Sequence, residues 1–315
     1  MTRSLDQVEE RLHACVGTAS EPLLVDSVSH LVTAGGKRLR PLLTLLGAEF
    51  GDPAAPGVLD AAVVAELVHT ASLHHDDVMD AAPLRHGVPS VNARWGNLLA
   101  VRSGDWLLAK AARVGSELDR DAMMLQAAAS ERLVRGQMRE FSGPAPGEDR
   151  LQHYFEVIAD KSASLISFSL QLGAVQSGAP QGVSEALARY GEHLGVAFQI
   201  SDDLIDITVP SSQLGKEQGM DLAAGVASLP VLLVLEAGRP EDGELRALLS
   251  GAAGLGGEQR ARALELLECS WAVRRAEEIM RERLSAARTA LTPLPSGSGR
   301  RALTTLCDVV ESRKE

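Results

Sequence analysis

The sequence predicts an all-α protein: one helical domain, residues 1–315, whose helices bundle around a central cavity. Three observations carry this expectation. Ala, Leu and Val recur at helical spacing nearly everywhere, no stretch shows the alternation of β-branched residues that marks strands, and the breaks are short. A chain of 315 residues with 45% hydrophobic content buries a sizeable core. Its breaks fall at "GDPAAPG" (51–57), "SGPAPGED" (142–149), "SGAPQG" (177–182), "VPSSQLG" (209–215), "GRPEDG" (238–243) and "LPSGSG" (294–299). Each reads as a helix connection; none is long or biased enough to link separate domains, and no fixed-period repeat is present.

Taken in order, "MTRSLDQVEERLH" alternates charged and apolar groups as a helix does and lacks the apolar core of a signal peptide. No run approaches the roughly 18 apolar residues of a membrane span, so the expectation is a soluble, cytoplasmic protein. A net charge of −11 argues against a nucleic-acid binder. Cys15, Cys269 and Cys307 are far apart, which fits neither a disulfide framework nor a zinc site and suggests buried small hydrophobes. The basic turn "GGKRLRP" (35–41) precedes a helix and lacks the GxxxxGK[ST] spacing of a P-loop.

A helix then runs from about Val58 through "DAAVVAELVHTASLHHDDVMD". At about 100° per residue it puts Asp76 and Asp80 on one face, with Asp77 beside them. "FQISDDLIDI" repeats the arrangement as Asp202, Asp203 and Asp206, again at the end of an apolar segment and before a loop. A single acidic triplet is best taken as a solvated helix end. Two of them, each placed where the helix macrodipole is negative, work against local stability unless a cation compensates. Facing one another across a bundle, they would form a hard-oxygen cage suited to magnesium. Positive charge stands elsewhere, in "GGKRLRP", at Arg85, in "DKSAS" (160–164) and in "LGKEQGMDL" (214–222), where Arg forks and Lys ammonium groups suit a diphosphate.

These segments carry a resemblance. In order, "GGKRLRP", "ELVHTASLHHDDVMD", "LRHG", "GDWLLAKA", "IADKSAS", "GVAFQISDDLID" and "LGKEQGMDLAAGVASLP" make the chain resemble the trans-isoprenyl diphosphate synthases, the polyprenyl synthetase family, over most of its length. The resemblance implies a helical bundle of the isoprenoid synthase type, a homodimer, and condensation of isopentenyl diphosphate with an allylic prenyl diphosphate. It implies that Asp76, Asp80 and Asp202 ligate three magnesium ions on the allylic diphosphate, with Asp77, Asp203 and Asp206 in support. Arg85, Lys161 and Lys216 match positions that hold the allylic diphosphate; Lys37, Arg40 and His69 match those that hold isopentenyl diphosphate. Ser162 and Gln199 match the pair whose oxygens face the developing allylic cation. Three positions depart from the family: His86 stands where a second arginine is usual, Val226 where many members have lysine, and Ser162 where threonine is usual. His86 donates to a diphosphate when protonated but is a poorer permanent cation.

The chemistry asks for these residue types. Magnesium makes diphosphate a better leaving group, the allylic carbon–oxygen bond ionises, and the double bond of isopentenyl diphosphate attacks the cation. Water must be excluded, and the segment from about Thr208 to Gly219, carrying Lys216, is the candidate lid. His69, His74 and His75 beside Asp76 also suggest a metal-dependent phosphohydrolase, which would leave the second array unexplained. A terpene cyclase uses one DDxxD array but normally has Asn, Ser and Glu in its second metal motif; a non-catalytic partner subunit would not need intact arrays. The residues below Asp76, namely Ser72, Val68 and Ala65, with Ala71 at the family's chain-length position, are all non-aromatic. A growing tail would meet no large side chain there and would extend toward Ala61, giving a product longer than geranylgeranyl diphosphate. A floor supplied by Met123, Met124 or Trp106 would instead give a geranylgeranyl or farnesyl diphosphate synthase.

Overall fold

A computed structural model describes residues 1–210, 217–250 and 254–313. Helices account for nearly all regular structure among them. The chain forms two compact units, each assembled from three stretches. The first comprises Met1–Arg132, Leu165–Arg189 and Pro293–Ala302; the second comprises Leu133–Ser164, Tyr190–Thr292 and Leu303–Glu315.

In the first unit, helices α1 (Thr2–Val16), α2 (Pro22–Ala34), α3 (Leu39–Ala48), α4 (Gly57–Met79), α5 (Val91–Trp95) and α6 (Asn97–Gly115) follow in order. The central one is α4. Ala61, Ala62, Val63, Val64, Ala65, Leu67, Val68 and Ala71 are all buried, so apolar groups surround it instead of forming one stripe, as expected of a core helix. It packs most extensively on α6 and α3. The α6 contact depends on a glycine, since a Cβ at Gly104 would lie 2.3 Å from His75 Nε2. A second close crossing joins α3 to the later helix Ser164–Gln176. Cβ atoms at Gly47 and Gly173 would fall 2.2 Å from the Leu170 carbonyl oxygen and 1.8 Å from that of Thr44.

One polar link runs through the first unit. Arg38, in left-handed conformation at φ 46°, donates from Nε and Nη2 to Glu9 of α1, from Nη1 to Glu66 of α4, and from Nη2 to the Val32 carbonyl. The small departure from all-helix is a hairpin, β1 (Leu84–Arg85) and β2 (Val88–Pro89), paired Leu84 to Pro89 and Arg85 to Val88. Its two-residue loop, His86–Gly87, has positive φ at both positions, 51° and 77°, the geometry that matches strand twist.

The second unit holds a helix interruption. Helix Arg150–Ile158 runs into a π-helical segment, Ala159–Ala163, where the Ser164 N–H reaches back to the Ala159 carbonyl, before the next helix begins. Two glycines let neighbouring helices touch this bulge. A Cβ at Gly136, in helix Arg120–Ser142, would lie 2.8 Å from Lys161 N; one at Gly195, in helix Gln181–Thr208, would lie 2.4 Å from Ala163 Cα. π-Bulges are rare and concentrate at functional sites.

The expected breaks at 51–57, 142–149, 177–182, 238–243 and 294–299 all fall between helices. That at 209–215 lies mostly outside the described residues, as does Lys216. The cysteines divide: Cys307 is buried beside Tyr190 Oη and Cys15 is half-buried, but Cys269 is exposed, because it ends helix Gly257–Glu268 at the surface and not within a packed face.

Candidate active site

The first array sits at the end of α4. Asp80 ends the helix, its N–H donating to the Asp76 carbonyl at 2.8 Å, so the two side chains lie one turn apart as the spacing requires. Asp80 is exposed and Asp76 half-buried, whereas Asp77 is wholly buried. Burial commits Asp77 to the protein. Arg85, placed by the hairpin, donates to its Oδ1 from Nε at 2.8 Å and from Nη2 at 2.5 Å, while Oδ2 is buried with no hydrogen-bond donor.

The second array, near the end of helix Gln181–Thr208, divides differently, with Asp202 alone partly exposed. Asp202 is half-buried and pairs with Arg313 at 2.9 Å; the Arg313 guanidinium also stacks over Phe198, 4.2 Å from the ring centroid. Asp203 and Asp206 are buried. Asp203 accepts from Tyr154 Oη at 2.7 Å and the Leu229 N–H at 2.9 Å on Oδ2, and from Gln199 Nε2 at 3.2 Å on Oδ1. Burial pushes its carboxyl up to about 6 against the pull of those three donors, and pushes the Tyr154 phenol well up. Asp206 Oδ2 accepts from the Asp221 N–H at 3.0 Å, and its carbonyl accepts from Gly219 N–H, which fixes the chain on the far side of the 209–215 break.

The bulge carries Lys161 and Ser162. Lys161 Nζ is ion-paired with Glu140, and next to it Asp160 holds Arg135 through both carboxylate oxygens. Ser162 Oγ donates to Gln199 Oε1 at 2.7 Å. Ser162 and Gln199, singled out separately by resemblance, are thus in direct contact, with Gly195 one turn before Gln199 admitting the bulge to its helix.

In the first unit, Arg40 Nη1 approaches His69 Nε2 at 3.1 Å. Burial, then Arg40, depress the His69 imidazole well below its ordinary value, so the ring is neutral and accepts from the guanidinium. Lys37 is exposed. The His86 ring lies against Gly36; burial and the adjoining Arg85 push its pKa down, against an opposing pull from the Gly35 backbone. At neutral pH His86 is thus an uncharged neighbour of the basic turn, not the second cation the family usually supplies there.

Ala71 and Val68 are wholly buried; Ser72 is half-buried and returns its hydroxyl to the His69 carbonyl at 2.8 Å. Met123 and Met124 are exposed, and Trp106 is half-buried. The histidines beside the first array are spent separately: His74 on the Thr70 and Ser27 carbonyls, His75 on the Val101 carbonyl and Asp105. Among the described residues no three His, Cys, Asp or Glu side chains are grouped so as to hold a metal ion. Sequence spacing did not point to Tyr154, Glu140 or Arg313, whose partners lie tens to more than a hundred positions away. Val226, where lysine is common in the family, is exposed.

An all-helical chain with two DDxxD arrays, each at the end of an apolar helix segment, defines the isoprenoid synthase class. The match to solved structures agrees: a polyprenyl synthase from Caulobacter crescentus CB15, solved with calcium and isoprenyl diphosphate, is 32% identical with a TM-score of 0.91, covering 100% of this chain and 96% of that one. A geranylgeranyl pyrophosphate synthase from Corynebacterium glutamicum, also with calcium and isoprenyl diphosphate, is 40% identical with a TM-score of 0.87, covering 98% and 95%. A nonaprenyl diphosphate synthase of Mycobacterium tuberculosis is 42% identical over 98% of this chain and 91% of its own length. The polyprenyl synthetase family model matches residues 21–266. The chain belongs to the polyprenyl synthetase family and is a trans-prenyltransferase.

Proposed function

We propose that this protein is a magnesium-dependent trans-polyprenyl diphosphate synthase, adding isopentenyl diphosphate to an allylic prenyl diphosphate to give a product longer than geranylgeranyl diphosphate. The observation that carries this reading is the division within each array. Asp77, Asp203 and Asp206 are buried and held by protein donors, while Asp76, Asp80 and Asp202, the last paired with Arg313, remain at least partly exposed.

Asp76, Asp80 and Asp202 are the groups that would hold magnesium, three ions together with the bound diphosphate. The donor set is all oxygen, as magnesium requires, and Asp77 Oδ2, buried beside the first pair, has no donor of its own. Bound there, magnesium draws charge onto the diphosphate and makes it a better leaving group.

Arg85, Lys161 and Lys216 hold the allylic diphosphate, Lys161 by exchanging Glu140 for it. Arg40, with His69 fixing its guanidinium, and Lys37 take isopentenyl diphosphate, with His86 as a neutral neighbour. The allylic carbon–oxygen bond breaks with its electron pair going to diphosphate, and the oxygens of Ser162 and Gln199 face the resulting cation. The double bond of isopentenyl diphosphate attacks, and the new cation loses a proton to the released diphosphate, which restores a double bond one isoprene unit further on. Of the small residues Ala71, Ser72 and Val68, only Ser72 is not wholly buried, so a long tail would pass along α4 at Ser72 and displace the packing around the other two. The enzyme works as a single-domain, cytoplasmic homodimer.

Asp76→Ala and Asp202→Ala test the metal assignment. Each is expected to abolish isopentenyl transfer with an unchanged thermal unfolding midpoint, because neither side chain is part of the core. Wild-type-like turnover in either variant would overturn it.

A further inference from the structure

The hydrogen bonds around Gln199 have a fixed direction. Asp203 presents a carboxylate, which only accepts, and its Oδ1 faces Gln199. The Gln199 amide must therefore turn its N–H toward Asp203 and its Oε1 toward Ser162. Facing that oxygen at 2.7 Å, the Ser162 hydroxyl must donate, because a carbonyl oxygen only accepts. Ser162 Oγ and Gln199 Oε1 are then left with lone pairs as their outward groups. Were the amide reversed, an N–H would stand where Oε1 is, and the serine proton would be turned elsewhere.

We propose that Asp203 and Tyr154 are positioning residues that set this direction, so that Ser162 and Gln199 offer acceptor oxygens, and no donor, to a cationic intermediate. The proposal rests on the reading that Ser162 and Gln199 face the allylic cation. Tyr154 Oη and the Leu229 N–H engage Asp203 Oδ2 and pin the carboxylate plane, leaving Oδ1 aimed along its own helix at Gln199, one turn back. Tyr154 belongs to the helix leading into the bulge that carries Ser162, so one hydrogen-bond chain, all within the second unit, links both ends of that helix interruption to the amide it orients. Asp203 also caps the helix beginning at Leu229, which is a structural role. The two roles use different oxygens and separate by substitution.

Asp203→Asn keeps an oxygen for Tyr154 and Leu229 but turns an NH2 toward Gln199. Two donors then face one another and the amide reverses. Adding Gln199→Glu restores the match: the new amide at position 203 donates to one carboxylate oxygen at position 199, and Ser162 donates to the other, with the pair's total charge unchanged. The experiment is steady-state kinetics of the full-length chain with isopentenyl diphosphate, farnesyl diphosphate and magnesium, for Asp203→Asn, the double variant, Tyr154→Phe and Gln199→Leu.

The expected result is a fall in kcat of about 10- to 100-fold for Asp203→Asn, with KM for both diphosphates and for magnesium within about threefold of wild type. The double variant should regain about tenfold, and Tyr154→Phe should lose about threefold in kcat alone. A normal kcat for Asp203→Asn at saturating magnesium with a raised magnesium KM would overturn the proposal, making Asp203 a metal ligand. A loss that Gln199→Glu does not reverse would overturn it too, leaving only the cap. Gln199→Leu separates the underlying reading: if it keeps kcat, Gln199 does not face the cation; if it loses kcat while Asp203→Asn does not, only the positioning role fails.

Discussion

Arg38 and Arg40 stand two positions apart in one basic turn, and chemistry divides them. Arg38 is consumed by Glu9 and Glu66, the latter with a side chain only 5% exposed; Arg40 faces the neutral ring of His69, which takes no charge from it. Arg38→Ala should lower stability by about 3 kcal/mol, because it strands a buried carboxylate. Arg38→Ala with Glu66→Gln should lose clearly less, and equal loss in thermal or urea unfolding would contradict the assignment. The aspartates were legible in the sequence because the DDxxD spacing is local to one helix turn. Which aspartate turns inward was not: Asp77 and Asp203 are settled by partners such as Arg85, Tyr154 and Leu229 that only the fold brings near. The same distance hides the fate of Arg38, whose carboxylates lie 29 and 28 positions away.

Helix breaks were legible wherever Gly and Pro cluster, as at 51–57 and 142–149. The π-bulge at Ala159–Ala163 was not, since "IADKSAS" has ordinary helical composition and contains neither residue. What accompanies it is tertiary: Gly136 and Gly195 admit two neighbouring helices to backbone contact with the bulge. The hairpin was hidden likewise, because two strands of two residues are too short to show alternation. Helix α4 carries the account of product length. Ala71 and Ser72 lie within its last two turns before Asp76, and phenylalanine at both would put rings on the proposed path of the tail. The variant Ala71→Phe with Ser72→Phe should make a shorter product than wild type, measured by chromatography of the dephosphorylated prenyl alcohols. An unchanged distribution would refute the path along α4.

For the molecule as a whole, exposed apolar surface on helix Arg120–Ser142 bears on assembly. Val134, Met138 and Phe141, at helical spacing, are 60%, 55% and 79% exposed, an unusual stripe for a lone chain. A second copy covering this stripe is the expected state. Sedimentation equilibrium should give twice the 33.4 kDa chain mass, and Phe141→Asp should shift the species toward monomer; a wild-type monomer at micromolar concentration would contradict the dimer. No helix among the described residues is long and apolar enough to cross a membrane. The all-helical class was legible because periodicity is a property of every segment. The division into two compact units was not, because each unit is drawn from three separated stretches with no linker between them.

The central claim is chain elongation beyond geranylgeranyl diphosphate. Its most direct test is incubation of the purified protein with radiolabelled isopentenyl diphosphate, magnesium and farnesyl or geranylgeranyl diphosphate, with product length read by chromatography. The account predicts label in a prenyl diphosphate longer than geranylgeranyl, dependent on magnesium. Label that stops at farnesyl or geranylgeranyl diphosphate, or no incorporation with hydrocarbon or free diphosphate released instead, would contradict it.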